Sequence, residues 1–210
     1  MDKLNLQTLK LNFNLLQDLN DEMDLTWGSI PSKKFVTNVG LITSNGHWGN
    51  NVMSAEWTHH ISYEPGLIAV NIHLSDATAE NIMKSKEFGV NIAAESQNVV
   101  CSIAGGYTGK EVNKIEVLKE LGIEFYKARK IDVLMVKDAT MNAECKIVEQ
   151  MELGDHIMFV GKAIEITTDE NTRPILYHSG KYYKVGDNVS KSHQEVLDKI
   201  KQLVEKYRKS

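Results

Sequence analysis

A mainly β fold with added helices is predicted for this chain of 210 residues, and three observations point to it. Short runs rich in β-branched and aromatic residues recur between Phe35 and Val185, the composition expected of half-buried strands. Those runs are closely spaced and punctuated by turn residues, which suits a small barrel or a sandwich. Helical periodicity is confined to a few stretches, the longest of them after Ser192.

The chain begins ambiguously. Leu9, Leu11, Phe13 and Leu15 alternate as in a strand, whereas Leu4, Leu11, Leu15 and Leu19 share one face of a helix. This Asn-rich arm is assigned residues 1–32, with Asp21 to Ser32 as the connection leading in, and its apolar content predicts that it lies against something, such as another subunit. A central unit is assigned to 33–187 and a C-terminal helix to 188–210.

Phe35 to Ser44 reads as a strand followed by the hairpin signal Asn45-Gly46. The segment Asn50 to Asn71 is then the most informative stretch. Its second half is a strand with Ile68, Val70, Ile72 and Leu74 on one face. Tyr63-Glu64-Pro65-Gly66 predicts a type II turn, and so an antiparallel pairing of the two halves. The first half, Met53-Ser54-Ala55-Glu56-Trp57-Thr58, mixes small residues with one large aromatic. Its uncovered backbone suits either a crowded sheet contact or a flat ligand.

Ser75-Asp76-Ala77-Thr78 precedes a helix predicted over Ala79 to Lys86. Its hydroxyls and acid fit simple capping, or, with the free N–H groups and dipole of a helix start, an anion seat. Val90-Asn91-Ile92 echoes Val70-Asn71-Ile72 at the end of another strand. Helices follow at Val99 to Ala104 and Lys114 to Leu121, the second stopped by Gly122, with a ligand-facing loop at Gly105 to Gly109 between them. Thr140 to Gln150 and His156 to Thr167 form a predicted hairpin around Met151 to Asp155. Pro174 to Tyr177 and Lys181 to Val185 form another around Ser179-Gly180. Val196, Leu197, Ile200, Leu203, Val204 and Tyr207 trace the stripe of the terminal helix, which fits packing on its own barrel or across a dimer interface.

Composition narrows the function. A formal net charge of −4 argues against binding nucleic acid through its phosphates. No apolar run approaches the about 20 residues that span a bilayer, and the start lacks the basic-then-apolar order of a signal peptide; no membrane partner and a cytoplasmic location are expected. Cys101 and Cys145 form no C-x-x-C pair and read as packed small side chains. His59 and His60 are neighbours on a strand and face opposite sides, so no metal site is expected there. Trp27, Trp48 and Tyr107 fit either lids or core.

Several blocks together resemble the flavin reductase-like family, which includes flavoredoxins. Met53-Ser54-Ala55-Glu56-Trp57, Ile61-Ser62-Tyr63-Glu64-Pro65 and the strand Leu67 to Ile72 match that family's M-T-A-S-W, V-S-F-D-P and apolar strand without a gap. Gly154-Asp155-His156-Ile157-Met158-Phe159-Val160-Gly161 is similar to its G-D-H-x-x-F-V-G. Pro174-Ile175-Leu176-Tyr177-His178 with Tyr182-Tyr183 is similar to its closing motifs. The resemblance covers roughly Val36 to Val185.

It implies an FMN-binding split β-barrel of Greek-key type, a homodimer, and NADH or NADPH as electron donor. It implies that Met53, Ser54, Ala55, Glu56, Trp57 and Thr58 border the flavin ring. Ser75, Ala77 and Thr78 match the phosphate turn, and Asn91 and Ser102 fall where the ribityl chain and phosphate are lined. His156 corresponds to a residue near flavin and nicotinamide, and either positions the donor and handles a proton or, with Asp155, fixes a turn. The family often carries Arg or Lys in the phosphate turn, where this chain has Leu74 and Asp76. Lys110, Lys114 or His73 is expected to supply the missing positive charge. The reading is an FMN oxidoreductase passing electrons from NAD(P)H to a small acceptor, such as free flavin or a ferric chelate. Alternatives are a flavin-binding carrier that docks on a redox partner, and a split-barrel oxidase of a small organic substrate.

Overall fold

β-Formers separated by Gly, Pro and Asn build the strands. The structure, a computed structural model, describes residues 25–209. Among these lie β1 (Thr37–Asn38), β2 (Gly40–Ser44), β3 (Asn51–Ala55), β4 (Thr58–Ser62), β5 (Leu67–His73), α1 (Ala77–Ser85) and β6 (Glu87–Ile92). Next come α2 (Asn98–Gly106), α3 (Lys114–Glu120), β7 (Phe125–Lys127), β8 (Leu134–Val136), β9 (Met141–Leu153) and β10 (His156–Thr168). β11 (Leu176–His178), β12 (Lys181–Tyr183) and α4 (Gln194–Lys206) complete them.

Seven strands form one antiparallel sheet in the order β3-β2-β6-β9-β10-β5-β4, and β1-β11-β12 form a smaller one. The edge strands β3 and β4 are consecutive in the chain, linked only by Glu56 and Trp57. That corner draws the two edges together. The Asn71 amide donates to the Trp57 carbonyl (3.1 Å), and the Thr58 hydroxyl donates to the Ala55 carbonyl (3.0 Å). Gly40 lies against the same seam, where a Cβ would sit 2.3 Å from Thr58 Oγ1. A sheet whose edges meet through so few bonds is a barrel with a split, the expected fold class.

The barrel interior is filled by Ile42, Val70, Ile72, Phe88, Val90 and Phe159, all fully buried. Helix α1 adds Ala79 and Ile82 to that cluster and so plugs the barrel. A second core, with Leu41, Val52, Val100, Ala104, Ile115 and Leu118, lies between the outer face of β2–β3 and helices α2 and α3. Both faces of β2 are therefore covered, and all five of its residues are buried, Thr43 and Ser44 included.

The structure corrects several expectations. Residues 63–66 do not form a type II turn: the Glu64–Pro65 bond is cis, and Gly66 has no positive φ. The halves of the 50–71 segment do not pair along their length, since Met53 and Ala55 pair with β2 and only Thr58 onward pairs with β5. Asn45-Gly46 begins a six-residue link, Asn45 to Asn50, rather than a two-residue turn. Helix α1 starts two residues early, at Ala77, with Asp76 at its N-cap but no capping bond from that side chain. The β9–β10 strands run on to Leu153 and leave only Gly154 and Asp155 as the turn. Among the described residues helix α4 buries none of its own, with Ile200 48% and Leu203 42% exposed. The apolar pattern expected over Leu4 to Leu19 lies outside the described residues.

Candidate functional site

β3 is an edge strand of the sheet, so one row of its backbone groups has no strand partner. Helices α1, α2 and α3 stand around it and leave a narrow cleft, about 80 Å³, lined by Ser54, Asp76, Thr78, Gly105, Gly109 and Lys114 among others. Ser54 and Thr78 thus share one cavity. So do Met53 and Ala77.

Hydrogen bonding fixes what each group offers. Asn51 Nδ2 donates to Thr78 Oγ1 at 2.8 Å, so the buried Thr78 hydroxyl keeps its proton free to donate. The Ser54 hydroxyl donates to the Cys101 carbonyl at 2.7 Å and therefore presents only lone pairs. At the start of α1 the Asp76 carbonyl receives the Glu80 amide, and no side chain caps the amides before it. The helix persists without that cap because burying Ile82 contributes about 1.5–3 kcal/mol against the roughly 1 kcal/mol of a capping bond. Free amides and the dipole's positive end therefore remain at the cleft.

Lys114 completes the lining. It is 2% exposed, and its Nζ donates to the Ala104 carbonyl at 3.0 Å, in the last turn of α2, where the helix dipole favours a cation. Burial pulls its pKa down to about 8, opposed by the charge of Asp76. Lys110 takes a different place: its ammonium pairs with Glu80 and lies over the Trp48 ring. Gly109 is required by closeness, since a Cβ there would meet Asn51 Oδ1 at 2.5 Å.

An aromatic cluster sits beyond the turn that leads into α1. The Trp57 ring lies 4.7 Å from the His156 ring, and His73 lies 5.5 Å from His156 in a T-shaped contact. His156 Nδ1 is 2.6 Å from Asp155 Oδ1, and that bond holds the Asp155 carboxyl below its usual range. With Nδ1 so engaged, Nε2 is the free nitrogen of His156. His73 Nδ1 accepts from the Ser75 amide at 3.2 Å, which places its proton on Nε2.

Other expected site residues are placed elsewhere. Asn91 is fully buried in the core, where its Nδ2 donates to the Leu41 carbonyl and its Oδ1 accepts from Val136 and Asn142. Every polar atom of its amide is engaged there, so it belongs to the framework behind β2. Ser102 lies on the exposed side of α2, bonded to the Asn98 carbonyl, outside the cleft lining. Ser75 Oγ bonds His73 rather than the cleft. Ala55 and Thr58 are buried at the barrel seam. Glu56 lies on the side facing Tyr177; burial raises the pKa of its carboxyl, and burial together with the Glu56 charge raises that of Tyr177. Asn51 joins the cleft without having been expected there, because a polar residue at a strand end is indistinguishable in sequence from a turn residue, and Asp76, which the resemblance had set in the phosphate turn, lines it as well. Among the described residues no cluster of His, Cys, Asp and Glu is arranged to hold a metal, and no helix is long and apolar enough to cross a membrane.

The split barrel is shared with solved structures that are named as flavin reductases. The NADH:FAD oxidoreductase SgcE6 of Streptomyces globisporus C-1027 superposes with a TM-score of 0.70 at 17% identity, over 80% of this chain and 98% of that one. The flavin reductase PheA2 superposes at 0.65 with 28% identity, over 79% and 100%. An uncharacterized protein of Pyrococcus abyssi is 34% identical over 120 residues, 57% of this chain and 67% of that one. The chain spans about two thirds of the length of such archaeal relatives. The model of the flavin reductase like domain matches residues 32–186, and the chain belongs to that family.

Proposed function

We propose that this chain is an FMN-dependent oxidoreductase that takes electrons from NADH or NADPH and passes them to a small acceptor. The carrying observation is the convergence of Ser54 on β3, Thr78 on α1 and Lys114 on α3 around one cleft. Those groups fit a flavin phosphate. The Thr78 hydroxyl and the uncapped amides of α1 donate to its oxygens, the Lys114 ammonium balances its charge, and the bare edge of β3 runs from it toward Ala55 and Trp57. A flavin held there supplies hydride and electron transfer, chemistry the side chains alone lack.

The protein's own residues then orient and screen. Trp57 and His156 form an aromatic wall that would flank the flavin ring, and the Asp155 carboxylate engages His156 Nδ1, which would leave Nε2 to meet the donor. Support comes from family membership and from the names of the structural neighbours, one of them an NADH:FAD oxidoreductase. We further infer a cytoplasmic homodimer in which a second copy covers the apolar stripe of α4.

Spectroscopy of the purified protein tests the reading. Protein that binds added FMN, and whose yellow colour is bleached by NADH or NADPH, supports it. Bleaching by dithionite but by neither nicotinamide identifies an electron carrier instead, and failure to bind any flavin overturns both.

A further inference from the structure

Most charged lysines reach water; Lys114 does not. It is 2% exposed, anchored by one hydrogen bond to the Ala104 carbonyl, and the described residues supply no partner for its other two N–H donors. It nevertheless lines the cleft, opposite Thr78 and the start of α1. The charged groups around it are few. Asp76 at the head of α1 is felt across the cleft, and the Lys110 and Glu80 charges neutralise one another. β3 carries no titratable group, and α2 offers only the Cys101 thiol, whose proton is held by burial. Two donors of a buried ammonium with no protein acceptor call for an anion from outside.

Resting on the flavin reading above, we propose that Lys114 is the counterion of the ligand's phosphate monoester, and that its protonation is coupled to binding. The turn before α1, Leu74-Ser75-Asp76, carries no Lys or Arg, and Lys114 delivers the positive charge from a different element, as the first residue of α3. The acid at Asp76 then serves to hold the ammonium when no phosphate is present.

The coupling has a direction. With the cleft free of anions, the ammonium loses its proton near pH 8, and a phosphate dianion beside it restores the proton. Below that pH the lysine is already charged and binding takes up no proton through it. Above pH 8 each binding event captures a proton, so affinity falls by up to tenfold per pH unit. Riboflavin, which lacks the phosphate, has no such dependence.

Titration of the full chain with FMN and with riboflavin, followed by flavin fluorescence between about pH 6.5 and 9.5, tests this. FMN is expected to bind more tightly than riboflavin, with the ratio shrinking above pH 8. Calorimetry of FMN binding in buffers of different ionisation enthalpy should show proton uptake only in that range. Lys114→Met should lower FMN affinity by roughly 10- to 100-fold, leave riboflavin affinity unchanged and abolish the proton uptake, while Lys114→Arg retains the preference for FMN and loses the pH dependence. A constant FMN-to-riboflavin ratio across pH in the unmodified protein, or an unchanged ratio in Lys114→Met, overturns the proposal while leaving a flavin site in place. Failure of both flavins to bind the unmodified protein overturns the flavin reading with it.

Discussion

Lys114 shows how one side chain is held against its own solvation. Its pKa falls from 10.5 to about 8, and a shift of that size corresponds to about 3 kcal/mol of unfavourable burial for the charged form. Because the unfolded chain keeps the proton up to its ordinary pKa, the whole cost is present below pH 8 and is relieved as pH rises towards 10.5. Lys114→Met is therefore expected to raise the melting temperature of the flavin-free protein at pH 7, with a smaller gain near pH 10. Thermal unfolding at the two pH values measures the difference, and a loss of stability at pH 7 would refute this account of the burial. His156 is the second residue with a separable role. Its ring packs at a tilt against Trp57 and its Nδ1 is committed to Asp155, so His156→Ala should lower turnover with NADH or NADPH about tenfold or more while FMN affinity stays within about twofold. Parallel loss of turnover and flavin affinity would mark the imidazole as a support for the turn alone.

Among elements, the joint between β3 and β4 decides the architecture. Two residues carry the chain from one edge of a seven-stranded sheet to the other, and the approach is possible because Gly40 leaves room for Thr58. Gly40→Ala would place a Cβ 2.3 Å from Thr58 Oγ1 and 2.8 Å from Thr58 Cβ. Relief requires strands to part, so a loss of about 1–3 kcal/mol is expected, read as a lower urea midpoint at unchanged slope. Combining it with Thr58→Gly should cost less than the sum of the single changes, since the same space is being contested. Simple additivity would show that the seam yields elsewhere. At the cleft, Gly109→Ala meets Asn51, the residue that holds the Thr78 hydroxyl. Weaker FMN binding at little change in melting temperature is the expected result, measured by the same fluorescence titration.

For the whole molecule, the apolar stripe of α4 stands uncovered among the described residues. Val196, Ile200, Leu203 and Tyr207 recur at the spacing of a coiled-coil seam, and each is at least 42% exposed. The proposed second copy accounts for that stripe. Ile200→Glu together with Leu203→Glu should convert the dimer to a monomer by light scattering, while the barrel's melting transition persists. A dimer that survives both changes would place the interface on the barrel, where Val148, Met151 and Ile166 of the long β9–β10 hairpin are also exposed.

The local pattern of this chain was legible wherever one physical rule acted alone. Alternation in Leu67 to His73, the glycine that ends α3 and the apolar stripe of α4 each depend on neighbours a few residues away, and each element formed near its expected bounds. The motif blocks likewise pointed to Ser54, Ala77 and Thr78, which one cleft collects. Long-range partners were not legible. The resemblance set Asn91 beside the ligand, whereas in the structure its carbonyl and amino group are engaged by Leu41, Val136 and Asn142, residues 45 to 51 positions away. Lys110 and Lys114 were equivalent as sequence. Only the packed structure separated them, by giving one a carboxylate partner and burying the other with two of its N–H donors unmatched among the described residues. By itself the sequence determined most of the elements, because periodicity is local, and its motif blocks determined the family, while the short strands β7 and β8 went unread. The tertiary structure alone decided where the barrel closes and which lysine faces the cleft, because both depend on which distant groups satisfy one another once water is excluded.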